Sequence, residues 1–159
     1  MIYPMPIKNA YDYSIRLLSK RDYSRFKLKQ KLLQRDYLEE DIDNALEQLT
    51  AQRYLREDEY KRHKIKSLIE KGYANQLIQL RLEKEELFAD EPLIEQIRGE
   101  NNSEANEIVE RLIQKKLRGK LIPKEPEEKM KLKSKVLNFL VSKGHNYQTI
   151  KDQVSDYFL

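Results

Sequence analysis

Lys27, Lys31 and Arg35 recur every fourth residue in the stretch RDYSRFKLKQKLLQR, residues 21–35, beside Leu28 and Leu32. On a helix that spacing stacks side chains along one face, so the three cations form a row next to an apolar stripe. A cationic row of this kind suits phosphate contacts on nucleic acid. Lys20, Arg21, Arg25 and Lys29 extend the charge around the side, Lys61, Arg62 and Lys64 make a second group, and Lys131 and Lys135 belong to a third. Like charges four apart repel, and a cation in the first turn opposes the helix dipole by roughly 0.3–1 kcal/mol. Lys27 therefore carries a small stability cost, which is the signature of a binding surface. The competing reading is a solvated coat that only keeps a narrow helix soluble.

Other chemistries find less support. The two histidines, His63 and His145, stand apart from any spaced carboxylate or nucleophile, so neither has the makings of acid–base work. Glu39-Glu40 and Glu85-Glu86 are adjacent in sequence, point to different helix faces and read as solvated surface. No phosphate loop of the G-x-x-x-x-G-K-[ST] or G-x-G-x-x-G kind occurs, and four glycines are too few to build one. The absence of Cys removes disulfides and thiolate metal ligands and suits a reducing cytoplasm. The expectation is a protein that is not an enzyme, has no cofactor or metal, and works by binding.

Charge is arranged unevenly. Lys8 to Arg35 holds nine cations against two acids, whereas Asp36 to Glu59 holds nine acids against two cations. The net charge is only +4, so the arrangement matters more than the total. It describes either a bipolar surface for oppositely charged partners or adjacent helices that attract one another. No apolar run approaches the roughly 20 residues that span a bilayer, and the opening MIYPMPIKN lacks the regions of a secretory signal. A soluble, cytoplasmic protein with no membrane contact is expected.

These side chains must be positioned by helices, because Leu, Lys, Glu, Arg and Gln dominate and apolar residues recur at helical spacing nearly throughout. The first helix is expected over about Ala10–Lys20, burying Ala10, Ser14, Leu17 and Leu18. Ser24 has the chemistry of an N-cap for a second helix with Leu28, Leu32 and Leu33 inward. Ile42, Ala45, Leu46 and Leu49 mark a third. A fourth carries Tyr60, Lys64, Ser67 and Leu68 and ends at Gly72 in a left-handed turn. Ile78 and Leu82 mark a fifth, and Asp90 with Pro92 opens a sixth that stops before Gly99. Ser103 can cap a seventh bearing Ile108, Val109, Leu112, Ile113 and Leu117. After a Pro-containing link at 119–128 come Val136, Leu137, Leu140 and Val141, then Gly144, then Ile150, Val154, Tyr157 and Phe158.

The helices fall into sets of three that read as diverged copies of one unit. KLKQKL at 27–32 answers KLKSKV at 131–136, and RDYLEEDI at 35–42 answers KGHNYQTI at 143–150. The offset grows from 104 to 108 between these matches, which makes the third middle helix about one turn longer. The fold class is all-α, three tandem three-helix repeats over 1–55, 56–100 and 101–159, forming an elongated, curved array.

Ala10, Leu17-Leu18, Arg21, Ser24, Leu28 and Lys31-Leu32 follow the string A…LL..R..S…L..KL, and RYLREDEY is similar to G-Y-L-D-D-E-R-F. In these residues the chain resembles the RecX regulatory proteins, most clearly from residue 10 to about 97. FLVSKGHNYQTI resembles the third unit of the same family. Lys27 stands where that family usually has the Glu of a capping box, Asp36 where it usually has Gly, and Arg56-Glu57 where it has paired Asp. The resemblance implies a monomeric, non-enzymatic regulator that lodges in the groove of a RecA filament on single-stranded, or double-stranded, DNA. It also implies blocked strand exchange and co-protease activity. The alternative is a stand-alone helical protein that binds DNA nonspecifically.

Overall fold

A computed structural model describes residues 9–159; the opening segment MIYPMPIK, with Lys8 of the basic count, lies outside them. The protein is all-helical over these residues, with no strand among them. In chain order the helices are α1 Ala10–Leu18, α2 Arg25–Leu33, α3 Glu39–Ala51, α4 Glu57–Glu70, α5 Asn75–Glu83, α6 Glu91–Glu100, α7 Ala105–Leu117, α8 Pro126–Ser142 and α9 Tyr147–Asp156.

Helix starts follow side-chain chemistry. Asn9, Ser24, Asp90 and Asn146 each place a side-chain oxygen on a free amide of the helix they precede. Ser103 is not a cap as expected: its hydroxyl donates to the Asn101 carbonyl at 3.1 Å, and Glu104 holds the cap position with no side-chain bond. Helix ends share one device. Asp36, Arg53, Gly72, Glu86, Asn102, Gly119 and Gly144, which follow α2 to α8 in turn, all have positive φ between 48° and 88°. Gly99 does not stop α6, which runs on to Glu100, with Asn102 making the left-handed turn instead.

The helices group into two compact units. One comprises the residues up to Lys64 together with Lys84–Leu87; the other comprises Ile65–Glu83 and Phe88–Leu159. In the first, α1, α2 and α3 pack on one another around Ala10, Tyr13, Leu28, Leu32, Ile42, Ala45, Leu46, Leu49 and Leu55. Tyr13 takes the buried place expected of Leu17 and Leu18, which are half-buried, as is Leu33.

The second unit packs α7, α8 and α9 together, with Ile108, Ile113, Val136, Leu140, Ile150 and Val154 buried and Val141 exposed. The buried face of α4 is Ile65, Leu68 and Ile69 rather than Tyr60, Lys64 and Ser67. α8 has 17 residues against nine in α2 and in α5, a difference of two turns rather than the one expected, because Pro126 opens the helix instead of belonging to the link. The remaining connector joins two helices of the same compact unit. Gly144 is required where it stands: φ is 88° and an added Cβ would lie 2.9 Å from Cβ of Leu77.

Candidate nucleic-acid interface

α2 carries the central basic row, and its first turn is built from three segments of the first unit. Ser24 Oγ accepts from the Lys27 amide at 3.2 Å, and Glu57 Oε1, from the start of α4, accepts from the Arg25 amide at 2.8 Å. Ser24 Oγ in turn donates to Glu85 Oε2 at 3.1 Å. Glu85 is only 6% exposed and also accepts from Tyr60 Oη at 2.8 Å. Its other oxygen meets Lys27 Nζ at 2.9 Å and Lys64 Nζ. The expectation that Glu85 is solvated surface is therefore wrong. A carboxylate this buried needs charged and hydrogen-bonded partners, and two cations and two hydroxyls provide them.

The same contacts explain Lys27. A cation in the first turn is unfavourable by itself, but Glu85 sits against that turn and reverses the local sign. The carboxylate that a capping box would supply from within α2 arrives here from Glu57 and Glu85, distant in sequence. Glu85 precedes the left-handed Glu86, as Arg35 precedes Asp36 and Lys143 precedes Gly144. An acid in a place that holds a cation in the other two sets, together with a lysine in the place of the capping Glu, is the charge exchange from which the sequence could have yielded this contact.

The other basic candidates divide by what already holds them. Arg25 Nη2 pairs with Glu47 at 2.7 Å and Lys29 Nζ with Asp43 at 3.2 Å, so α2 and α3 do attract one another through opposite charges. The guanidinium of Arg21 lies 4.7 Å from the Tyr23 ring centre, and that of Arg35 lies 4.6 Å from the Tyr13 ring centre. Lys61 pairs with Asp58 at 3.5 Å, and Lys131 with Glu127 at 2.8 Å. Arg62, like Lys64, is engaged. Among the described residues the side chains of Lys20, Lys31 and Lys135 have no ion pair, hydrogen bond or ring contact. The expected row of Lys27, Lys31 and Arg35 thus holds one cation turned to Glu85, one on an aromatic face and one uncommitted.

The second unit holds polar features that the sequence reading passed over. Arg98, 4% exposed on α6, donates to the Tyr73 carbonyl at 3.3 Å and to Asn75 Oδ1 at 2.7 Å. Its Nε is 3.6 Å from Glu95, too far for a hydrogen bond, and is left without one among the described residues. Burial lowers the pKa of this guanidinium, with Glu95 opposing. His145 places Nε2 2.8 Å from the Gly72 carbonyl oxygen, a bond it makes by donating. Burial pushes its pKa below the usual histidine value; the carbonyl contact opposes this and the charge of Arg98 adds to it. That makes His145 a structural tie between the turns after α4 and α8. His63 is exposed in the basic part of α4.

Among the described residues no cluster of three or more His, Asp or Glu could hold a metal ion, and no helix is long and apolar enough to cross a membrane.

Residues 10–49, which span α1, α2 and most of α3, match the model of the RecX first three-helix domain. The chain is 27% identical over 146 residues to a regulatory protein RecX of Haemophilus influenzae, covering 91% of this chain and 92% of the relative. It is 26% identical over 151 residues to a regulatory protein RecX of Vibrio vulnificus, covering 95% and 94%. Against a regulatory protein RecX of Haemophilus ducreyi identity reaches 39% over 56 residues, 35% of this chain and 37% of the relative. The first three helices thus match the RecX first three-helix domain, and over more than nine-tenths of its length the chain is similar to RecX regulatory proteins.

Proposed function

We propose that this protein binds the RecA filament on single-stranded DNA and modulates it, mainly by inhibiting recombinase and co-protease activity. The observation that carries this reading is similarity to RecX regulatory proteins over nine-tenths of the chain, not over the first domain alone. The three helical sets, 1–55, 56–100 and 101–159, are then tandem repeats of one ancestral unit. Binding, rather than catalysis, is the work of the molecule, carried out by a monomer in the cytoplasm without a cofactor.

The cation geometry supports a sparse set of phosphate contacts. Lys20, Lys31 and Lys135 are uncommitted among the described residues, and Arg21 and Arg35, each over an aromatic ring, have no acidic partner among them. Arg25, Lys27 and Lys29 hold α2 against acids of their own unit. They contribute field rather than direct contact.

Fluorescence anisotropy with the labelled protein tests the reading, using RecA filaments, RecA alone and naked single-stranded DNA. Tightest binding to the filament, with a fall in DNA-dependent RecA ATPase, is expected. Equal affinity for naked DNA and filament, with ATPase unchanged, would sink the regulator and leave a nonspecific DNA-binding protein.

A further inference from the structure

Three cations that the basic groups above do not include converge in the second unit. Arg81 Cζ lies 4.3 Å and Lys143 Nζ 4.4 Å from the centre of the Tyr73 ring. Lys143 Nζ is also 5.7 Å from the centre of the Phe139 ring, where Lys116 Nζ lies 4.8 Å away. The three come from the last turn of α5, the last turn of α7 and the C-cap of α8. Tyr73 and Phe139 are half-buried and Arg81 is exposed, so the group is open to solvent. Among the described residues no acid pairs with any of the three.

Each cation alone has an ordinary explanation, since helix C-termini favour positive charge. That accounts for the residue types but not for their meeting over two rings without a carboxylate among them. The three helix ends carry about −0.5 charge apiece, against three full positive charges. The balance favours an anion. A guanidinium or ammonium group over an aromatic face still has N–H donors that the ring does not take up, and those donors are available to an anion.

We propose that Arg81, Lys116 and Lys143 form a phosphate-binding site, taking phosphate oxyanions presented by a single-stranded nucleic acid or by free phosphate. The site extends the nucleoprotein reading above to the second unit and rests on that reading only for its choice of strand. Because the cations already occupy the faces of Tyr73 and Phe139, bases do not stack there and binding is indifferent to base identity.

The test uses the full chain without RecA, so that its failure and that of the filament reading are distinguishable. Binding of labelled oligo-dT and oligo-dA is measured against salt for the native chain and for the variant carrying Arg81→Gln, Lys116→Gln and Lys143→Gln. The slope of log affinity against log salt should fall by about 2, from about 0.7 per lost contact on single strands, equally for both oligonucleotides. Should the triple variant fold poorly, the exposed Arg81→Gln alone should reduce the slope by about 0.7. In parallel, the Tyr73 and Phe139 ring resonances are followed by NMR on adding oligonucleotide, or inorganic phosphate at constant ionic strength. Shifts with DNA only assign the site to a strand, and shifts with both extend it to free phosphate. Rings unmoved by either ligand, or an unchanged slope in a folded variant, would overturn the site.

Discussion

Glu85 is the residue on which the first unit's charge arrangement turns. Its carboxylate faces Lys27, Lys64, Tyr60 and Ser24 at once, so Glu85→Gln preserves shape while removing the negative charge that Lys27 and Lys64 share there. Charged hydrogen bonds are worth about 1.5–3 kcal/mol each, but Lys27 is half-exposed and solvent recovers part of that loss. We expect a net loss of about 2 kcal/mol in urea unfolding, and a change below about 0.5 kcal/mol, the scatter of ordinary surface substitutions, would show that the network holds nothing. The sequence pattern exposed the basic row readily, because helical spacing is read from one segment. It hid Glu85 because the partners lie 21 to 61 residues away in the chain, and adjacency to Glu86 made the pair look like ordinary surface. His145 acts at the same scale. Its folded pKa is lowered, so the unfolded chain binds the proton more readily. Its contribution to stability is complete above the ordinary histidine pKa and is lost as pH falls below it. Melting temperature should therefore drop on acidification from pH 7.5 to 5.5, and His145→Gln should remove part of that drop; an identical pH profile in the variant would exclude the role.

At the scale of elements, the left-handed residue after each of α2 to α8 sets where one helix stops and the next can begin. This was partly legible. Gly72 and Gly144 announce such a turn by type, and Asp36 was readable from its place after α2, but Arg53 and Glu86 give no local sign because long side chains seldom adopt φ near 60°. The same blindness misplaced the end of α6 at Gly99, a glycine whose backbone is ordinary helix. It also hid the length of α8, whose Pro126 looks like a breaker but fits the first turn. Placing glycine at an occupied left-handed position should help. Asp36→Gly and Glu86→Gly are each expected to raise stability by up to about 1 kcal/mol; both are exposed, and neither has a side-chain ion pair or hydrogen bond among the described residues. Gly144→Ala should act oppositely and more strongly, because the new Cβ meets Leu77 as well as an unfavourable φ. Urea midpoints order the three: a Gly144→Ala variant at least as stable as the native chain would contradict the close approach.

For the molecule as a whole, the proposed binding of DNA can follow either total charge or the candidate cations that have no partner among the described residues. The net charge of +4 is small, and within the first unit Glu47, Asp43 and Glu85 already pair with Arg25, Lys29 and Lys27 of α2. Two double variants separate the possibilities because they remove the same charge, taking the chain from +4 to +2. Lys20→Gln with Lys31→Gln removes two cations that have no partner among the described residues. Lys27→Gln with Lys29→Gln removes two that face Glu85 and Asp43. If contacts with phosphate are made by uncommitted cations, the first pair lowers the salt slope for single-stranded DNA by about 1.4, at about 0.7 per contact. The second pair should leave the slope nearly unchanged while weakening affinity, since it unmasks two carboxylates near the strand. Equal slope changes in both variants would mean that net charge governs the encounter and that the ion pairs of α2 open on binding.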